Sequence, residues 1–425
     1  MRFEVLIVAV LVVAAAGLAL WQWWRPTAQP FSADSLSVTL LLAALTVAVV
    51  PTFSYLPPGA KRWALGALAL GAVAAAALVR RPGRGPRLAA GVGTAAYLVA
   101  AVTAVVTDRA PRIDVWVTLQ QASDGMLRGE NMYAMTWTGS PGIKDAFTYL
   151  PWTGVLLAPG RWLFGDVRWA LLCWTLVATA GLWRLAAAGR ASEPAGEPWP
   201  VTLGAVPLLL LAPGTLTQVD QAWTEPLLLA ALVWWAVLVR SGSGRATWWA
   251  IVPLALACAS KQHLALLLPA VAVWRPFGLR RTVATGALAG ALVLPWFLAG
   301  PADFLHDTVL LLVGFHPIRF ANTLYLLALN RYGVTLPFWL TGMAVLGALA
   351  AISWTIWRRQ PQLSELLRWL ALLLLVANLV NKQAFYNQFW LSAGLLAASL
   401  AASEVGRQGP AQTGPRQHER SAGHR

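Results

Sequence analysis

The chain has 425 residues and a formal net charge of +15; 58% of it is hydrophobic and only 12% charged, and its mean hydropathy is +0.60. Soluble domains average about 25% charged residues, so this chain lacks the polar coat that a water-facing surface needs. The positive charge therefore does not indicate a nucleic-acid binder. It sits in arginines between apolar runs, as the positive-inside bias of membrane proteins requires, and no basic module with interleaved aromatic residues accompanies it.

Apolar runs occur at 4–24, 36–56, 63–79, 88–107, 167–187, 200–214, 224–240, 246–274, 282–299, 334–357, 364–380 and 386–402. Runs of about 20 residues match a hydrocarbon core roughly 30 Å thick. The first begins near Arg2 and continues into Trp21, Trp23 and Trp24 without a small-residue cleavage pattern, which predicts a retained helix with an interfacial aromatic belt. Arg80, Arg81, Arg84 and Arg87 form the densest basic turn and predict a cytoplasmic loop.

Residues 108–150 then fall on the opposite side. There Arg109, Arg112, Arg128 and Lys144 nearly balance Asp108, Asp114, Asp124, Glu130 and Asp145. The mixed pattern after Asp114 predicts a helix lying on the membrane surface, and 148–163 is predicted to be interfacial or re-entrant. Counting onward, Arg184 and Arg190, Arg240 and Arg245, Arg275, Arg280 and Arg281, and Arg358 and Arg359 all fall inside, on one condition. The run 246–274 has arginines at both ends, so it must pass twice, as two short helices meeting near Ser260-Lys261-Gln262-His263. Breaks of this kind occur at membrane depth where protein shields them or they line a cavity. Residues 403–425 are polar and predict a disordered cytoplasmic tail. The expected fold is one all-α polytopic domain over 1–402 with roughly 11–13 transmembrane helices.

Of 32 basic residues only Lys61, Lys144, Lys261 and Lys382 are lysines. Lys261-Gln262 and Lys382-Gln383 interrupt apolar sequence, where an ionisable side chain is costly and marks a candidate site; the alternative is a lysine snorkelling at a helix end. Asp114 can act as a base or simply start a helix. Glu225, before Pro226, suits a helix N-terminus, and Asp220 precedes it. His263, His316 and Arg319 add polar or cationic candidates, and Trp116, Trp152 and Trp223 offer flat faces to a sugar ring. The five histidines form no metal motif, and neither a metal nor another cofactor is expected. Cys173 and Cys258 lie in apolar runs and read as buried thiols.

Several of these features occur together in an order that resembles the GT-C superfamily of membrane glycosyltransferases. They are an Asp shortly after an exit helix (Asp114), Gly129-x-x-x-Tyr133, Phe147-x-Tyr149-x-Pro151 and an outer Lys-Gln. The pattern is most similar to the bacterial glycosyltransferase family eighty-seven, which includes polyprenol-phosphate-mannose-dependent mannosyltransferases. It is clearest over 108–170 and weaker at 215–265 and 375–392. The resemblance implies a multi-pass protein of the bacterial plasma membrane with an extracytoplasmic active site. Its Asp114 would be the base, its donor a polyprenyl-phosphate-linked sugar, and its acceptor a glycan or glycolipid. Tyr149, Glu225, Lys261, Gln262, His263, His316, Arg319, Lys382, Gln383 and Trp116 are expected near the substrates. One departure is that Asp114 is followed by Val115 rather than a second acid, so a second carboxylate must come from Asp124, Asp220 or Glu225. Competing readings are a transporter or flippase of a lipid-linked or hydrophobic anion, or a structural subunit of an envelope assembly.

Overall fold

Lipid supplies no hydrogen bonds, so backbone at membrane depth must satisfy its own N–H and C=O groups. A computed structural model of the chain describes residues 3–24, 32–188, 201–242, 244–319 and 321–403, and among these the only regular structure is helical. The expectations for Arg190 and for the tail beyond Ser403 lie outside the described residues. The helices are α1 (Phe3–Trp24), α2 (Ala33–Val49), α3 (Pro58–Val79), α4 (Gly85–Thr107), α5 (Asp114–Leu127), α6 (Pro151–Phe164) and α7 (Arg168–Ala187). Then come α8 (Ala205–Leu210), α9 (Thr215–Asp220), α10 (Glu225–Arg240), α11 (Gly244–Trp249), α12 (Ile251–Ser260), α13 (Leu268–Ala272) and α14 (Gly278–Ala299). The last six are α15 (Pro301–Leu305), α16 (Leu311–Gly314), α17 (Leu324–Tyr332), α18 (Phe338–Arg359), α19 (Leu363–Val380) and α20 (Tyr386–Ala402).

Seven of them (α1, α3, α4, α7, α14, α18 and α19) are long and apolar enough to cross a membrane. α2, α10 and α20, with 17, 16 and 17 residues, are each about 24–26 Å long at 1.5 Å per residue. The chain is thus a polytopic helical membrane protein. α19 lies at its centre, whereas α1, α14 and α18 turn most of their surface outward. Helix contacts rely on small side chains, as expected where lipid removes the hydrophobic drive for association. α3 and α4 pack together, Gly71 lying against Ala96, and Ala64, Ala72, Ala75, Ala76, Ala89, Ala90, Ala100 and Ala104 are all buried, while Trp63 and Leu70 face outward.

The basic turns gather at one end of the bundle. Arg359 donates to the carbonyls of Gln22 and Trp23, Arg368 Nε donates to Gln22 Oε1 at 2.7 Å, and Arg240 donates to the carbonyl of Ala402. The run 246–274 does turn back: its helix breaks at Lys261, and the Arg281 guanidinium, past its far end, lies 5.4 Å over the Trp248 ring at its near end. α6 has both ends at the opposite face of the bundle. It starts where Leu150 N–H donates to Ser260 O at 3.2 Å, and it ends beside α5, where Arg161 and Trp162 bond Asp124 and Ser123.

Two expectations are corrected. The run 200–214 is helical only as far as Leu210, and after Ala212-Pro213-Gly214 the chain forms a further short helix, α9, beyond the run. Gly214 has φ +87°, and any Cβ there would overlap the Tyr386 phenol, whose hydroxyl donates to the carbonyl of Pro213. Only glycine meets both demands. Cys258 is buried as expected, but Cys173 faces outward from α7, because lipid accepts a thiol as readily as a protein core does.

Candidate functional site

The end of the bundle away from the arginine turns collects the chain's irregular backbone. α12 stops because Lys261 takes an extended conformation (φ −148°, ψ 123°), which leaves its side chain free of the helix. Its ammonium forms an ion pair with Glu225, lies 3.4 Å from Thr224 Oγ1 and stands 5.6 Å from the centre of the Tyr149 ring. Glu225 is fully buried at the first position of α10, where the helix N-terminus favours a negative charge. Desolvation raises the Tyr149 phenol well above its usual pKa, and the nearby Asp114 and Glu225 carboxylates raise it further. Asp114 and Glu225 thus both act on Tyr149, beside which Lys261 stands, although the four lie far apart in sequence.

Asp114 is the first residue of α5, preceded by Ile113, which has no capping side chain. Its Oδ1 accepts the Val115 N–H at 2.9 Å. The other oxygen lies so close to Gly142 that a Cβ there would collide with it. Asp114 is half-buried, so one oxygen serves the helix while the carboxylate stays accessible. Tyr55, from the segment between α2 and α3, completes this side. Its pKa is raised first by desolvation and then by Asp114 and Asp220. Asp220 is itself buried, and desolvation raises its carboxyl despite the opposing effects of Ser54 and Arg168.

Other residues singled out in the sequence serve as struts. The Gln262 amide donates to the carbonyls of Thr148 at 3.0 Å and Thr308 at 3.1 Å, tying the residue before Tyr149 to the His306–Leu310 turn. Trp116 Nε1 lies 3.2 Å from both oxygens of Asp166, which also holds buried Arg168. His263 follows Gln262 directly and is half-buried.

His316, Arg319, Lys382 and Gln383 form a separate group. Lys382 Nζ donates to the carbonyls of Val313 and Phe315, both at 2.7 Å, and its own carbonyl accepts from Ile318 N–H at 3.3 Å. Desolvation lowers the Lys382 pKa, and its two bonds tie this loop together. The Gln383 N–H donates to Asn381 Oδ1 at 2.9 Å. His316 is exposed and stacks on Phe315 with ring centres 4.5 Å apart; Arg319 is also exposed, and its carbonyl accepts from Asn330. Among the described residues no hydrogen bond or ion pair joins this group to Asp114 or Lys261. Trp223 and Tyr386 pack against each other with ring centres 6.1 Å apart.

Sequence reading missed Asp307. It lies in a π-helical turn over His306–Leu310, is 1% exposed, and accepts the Phe147 N–H at 2.7 Å and a 2.9 Å contact from His306 Nδ1. Such turns often mark functional sites. Together with Gln262 and the Tyr133 hydroxyl, which donates to Tyr149 O at 2.9 Å, Asp307 fixes the segment that presents Tyr149. Burial raises the Asp307 carboxyl above its ordinary 3.8, against the pull of His306 and the Phe147 N–H; Asp303 adds to the rise. The folded state thus holds this proton more tightly than the unfolded state. Its stabilising contribution is complete below pH 3.8 and is lost as pH rises through the higher folded pKa. Asp307→Asn keeps an acceptor for Phe147, so the expected result is a flatter thermal-stability profile above pH 3.8 in lipid nanodiscs. A profile parallel to wild type removes Asp307 as its source.

Among the described residues no three of His, Cys, Asp and Glu are grouped as metal ligands. No family model, curated protein or solved structure matches this chain.

Proposed function

We propose that the protein is a glycosyltransferase that moves a sugar, mannose in the first instance and arabinose as the alternative, from a polyprenyl phosphate to a glycan or glycolipid acceptor. The observation that carries this reading is the Tyr149–Lys261–Glu225 group at a helix break, with a half-buried carboxylate, Asp114, near enough for its charge to act on Tyr149. The arginine-rich turns lie at the other end of the bundle, which favours an extracytoplasmic site in the plasma membrane. The outward apolar faces of α14 and α18 offer surface for a polyprenyl chain. The GT-C-like arrangement of about 11–13 passes belongs to the same proposal.

In the reaction the acceptor hydroxyl oxygen attacks the anomeric carbon. The bond from that carbon to the phosphate oxygen breaks, and the polyprenyl phosphate leaves with the electron pair. The hydroxyl proton passes to Asp114, and one displacement inverts the anomeric centre. A neutral alcohol is a weak nucleophile, so a carboxylate within hydrogen-bond reach accelerates its attack. Lys261 is the cation available to the leaving phosphate, in a setting poor in water where such charge counts most.

The test is to incubate membranes containing the protein with a panel of polyprenyl-phosphate sugars and an envelope glycan extract. The expected result is consumption of one donor, with its sugar appearing on the acceptor. Movement of an intact donor across the bilayer without transfer supports the flippase reading instead.

A further inference from the structure

The loop that packs against one side of Asp114 also walls a groove that the proposed chemistry leaves unused. Residues 131–138 and the second half of α5 enclose an open cleft of about 550 Å³. Its walls are fastened in place. Gln121 clamps Thr138 in both directions, Nε2 donating to its carbonyl at 2.7 Å and Oε1 accepting its N–H at 3.0 Å. Arg128 donates to the two Glu130 oxygens, each at 2.7 Å. Asp124 accepts twice from Arg161, at 2.8 and 2.9 Å. A cleft ordered in this way pays little entropy on binding.

The lining chemistry narrows the occupant. Each charged side chain of the groove is matched by an ion pair, Arg128 with Glu130 and Asp124 with Arg161, so no net field attracts an anion. Thr136, Thr138 and Gln121 give polar edges, and Ala134 and Met135 give small apolar patches. That mixture suits a neutral ligand with hydroxyl edges and apolar faces. Gln121 is seven residues along α5 from Asp114, about two turns or 10 Å away on the same face. The loop from Thr136 onward folds back through the Trp137 N–H to Lys144 O bond, at 2.7 Å, and lays Gly142 on Asp114. The groove and the carboxylate are thus walled by one loop, about two helical turns apart along α5.

We infer that this groove binds a neutral oligosaccharide, holding the non-reacting units of the acceptor while its terminal hydroxyl reaches Asp114. Its purpose rests on the glycosyl-transfer reading; its binding test does not. The probes are neutral mannotetraose and its sulfated counterpart, titrated into the full chain in nanodiscs as wild type, Ala134→Trp and Thr136→Trp. Both substituted positions are exposed at the lip of the groove, and thermal stability is read in parallel. The wild type is expected to bind the neutral tetrasaccharide about tenfold more tightly than the sulfated one, and each tryptophan to weaken neutral binding about tenfold. Absence of neutral binding, indifference to both plugs or preference for the sulfated sugar overturns the inference. In turnover the plugs raise the KM for long acceptors and leave the donor KM unchanged. If binding and its loss hold but wild type consumes no donor, glycosyl transfer fails and the groove stands as a glycan site.

Discussion

Asp114→Asn is expected to lower sugar transfer by about 10²–10⁴-fold, the usual contribution of a positioned general base. The substitution separates the two duties of this side chain. Asn keeps an oxygen for the Val115 N–H, which Asp114 Oδ1 accepts at 2.9 Å, so the start of α5 should persist. It also fits beside Gly142, because the amide has nearly the shape of the carboxylate it replaces. What is removed is the negative charge and with it the capacity to take a proton. The measurement is acceptor labelling by radiolabelled polyprenyl-phosphate sugar in nanodiscs, with thermal stability and donor binding followed on the same samples. Loss of transfer with stability and donor binding retained is the expected pattern. Transfer near the wild-type rate sinks Asp114 as the base, and a large fall in stability shows that its place is structural.

The fold was legible in the sequence wherever hydropathy and charge spoke together. The run 246–274 is flanked by arginines that both belong on one side, so its break at Lys261 follows from parity, and the Arg281–Trp248 contact closes the same argument in space. The break at Ala212-Pro213-Gly214 had an equally clear local signal, a missing donor followed by a residue able to take φ +87°, but no charge flanks it to demand a turn. Hydropathy is also blind to which apolar face meets lipid, which is why Cys173 and Cys258 looked alike.

The site was legible in its residue types and not in its pairings. Lys261 and Lys382 interrupt apolar sequence in the same way, yet one meets a buried carboxylate and the other two backbone carbonyls. Gln262 and Trp116, which looked suited to substrate, satisfy Thr148, Thr308 and Asp166. Asp307 gave no sign in sequence at all, because the N–H it serves belongs to Phe147, whose position depends on the whole tertiary fold.

The contrast between the two lysines gives the second prediction its force. Lys261→Met leaves Glu225 buried without its partner, and breaking a buried pair costs about 3–5 kcal/mol, so a large fall in thermal stability is expected. Replacing both partners, as Lys261→Met with Glu225→Leu, removes the unmatched charge and should restore most of that stability, since apolar substitutes for a buried pair are often neutral or better. If Lys261 serves only to neutralise Glu225, the double variant regains transfer along with stability. If its ammonium also receives the leaving phosphate, the double variant is stable and inactive, with donor use impaired more than acceptor use. The second outcome is expected, because Lys261 stands over Tyr149, the ring on which the Asp114 charge also acts. Lys382→Met is the control: it frees the carbonyls of Val313 and Phe315 and should loosen that loop while leaving the stable, folded fraction able to use donor. Equal losses at both lysines would mean that neither ammonium is specific to the phosphate, and the cation would then have to be sought at exposed Arg319 or His316.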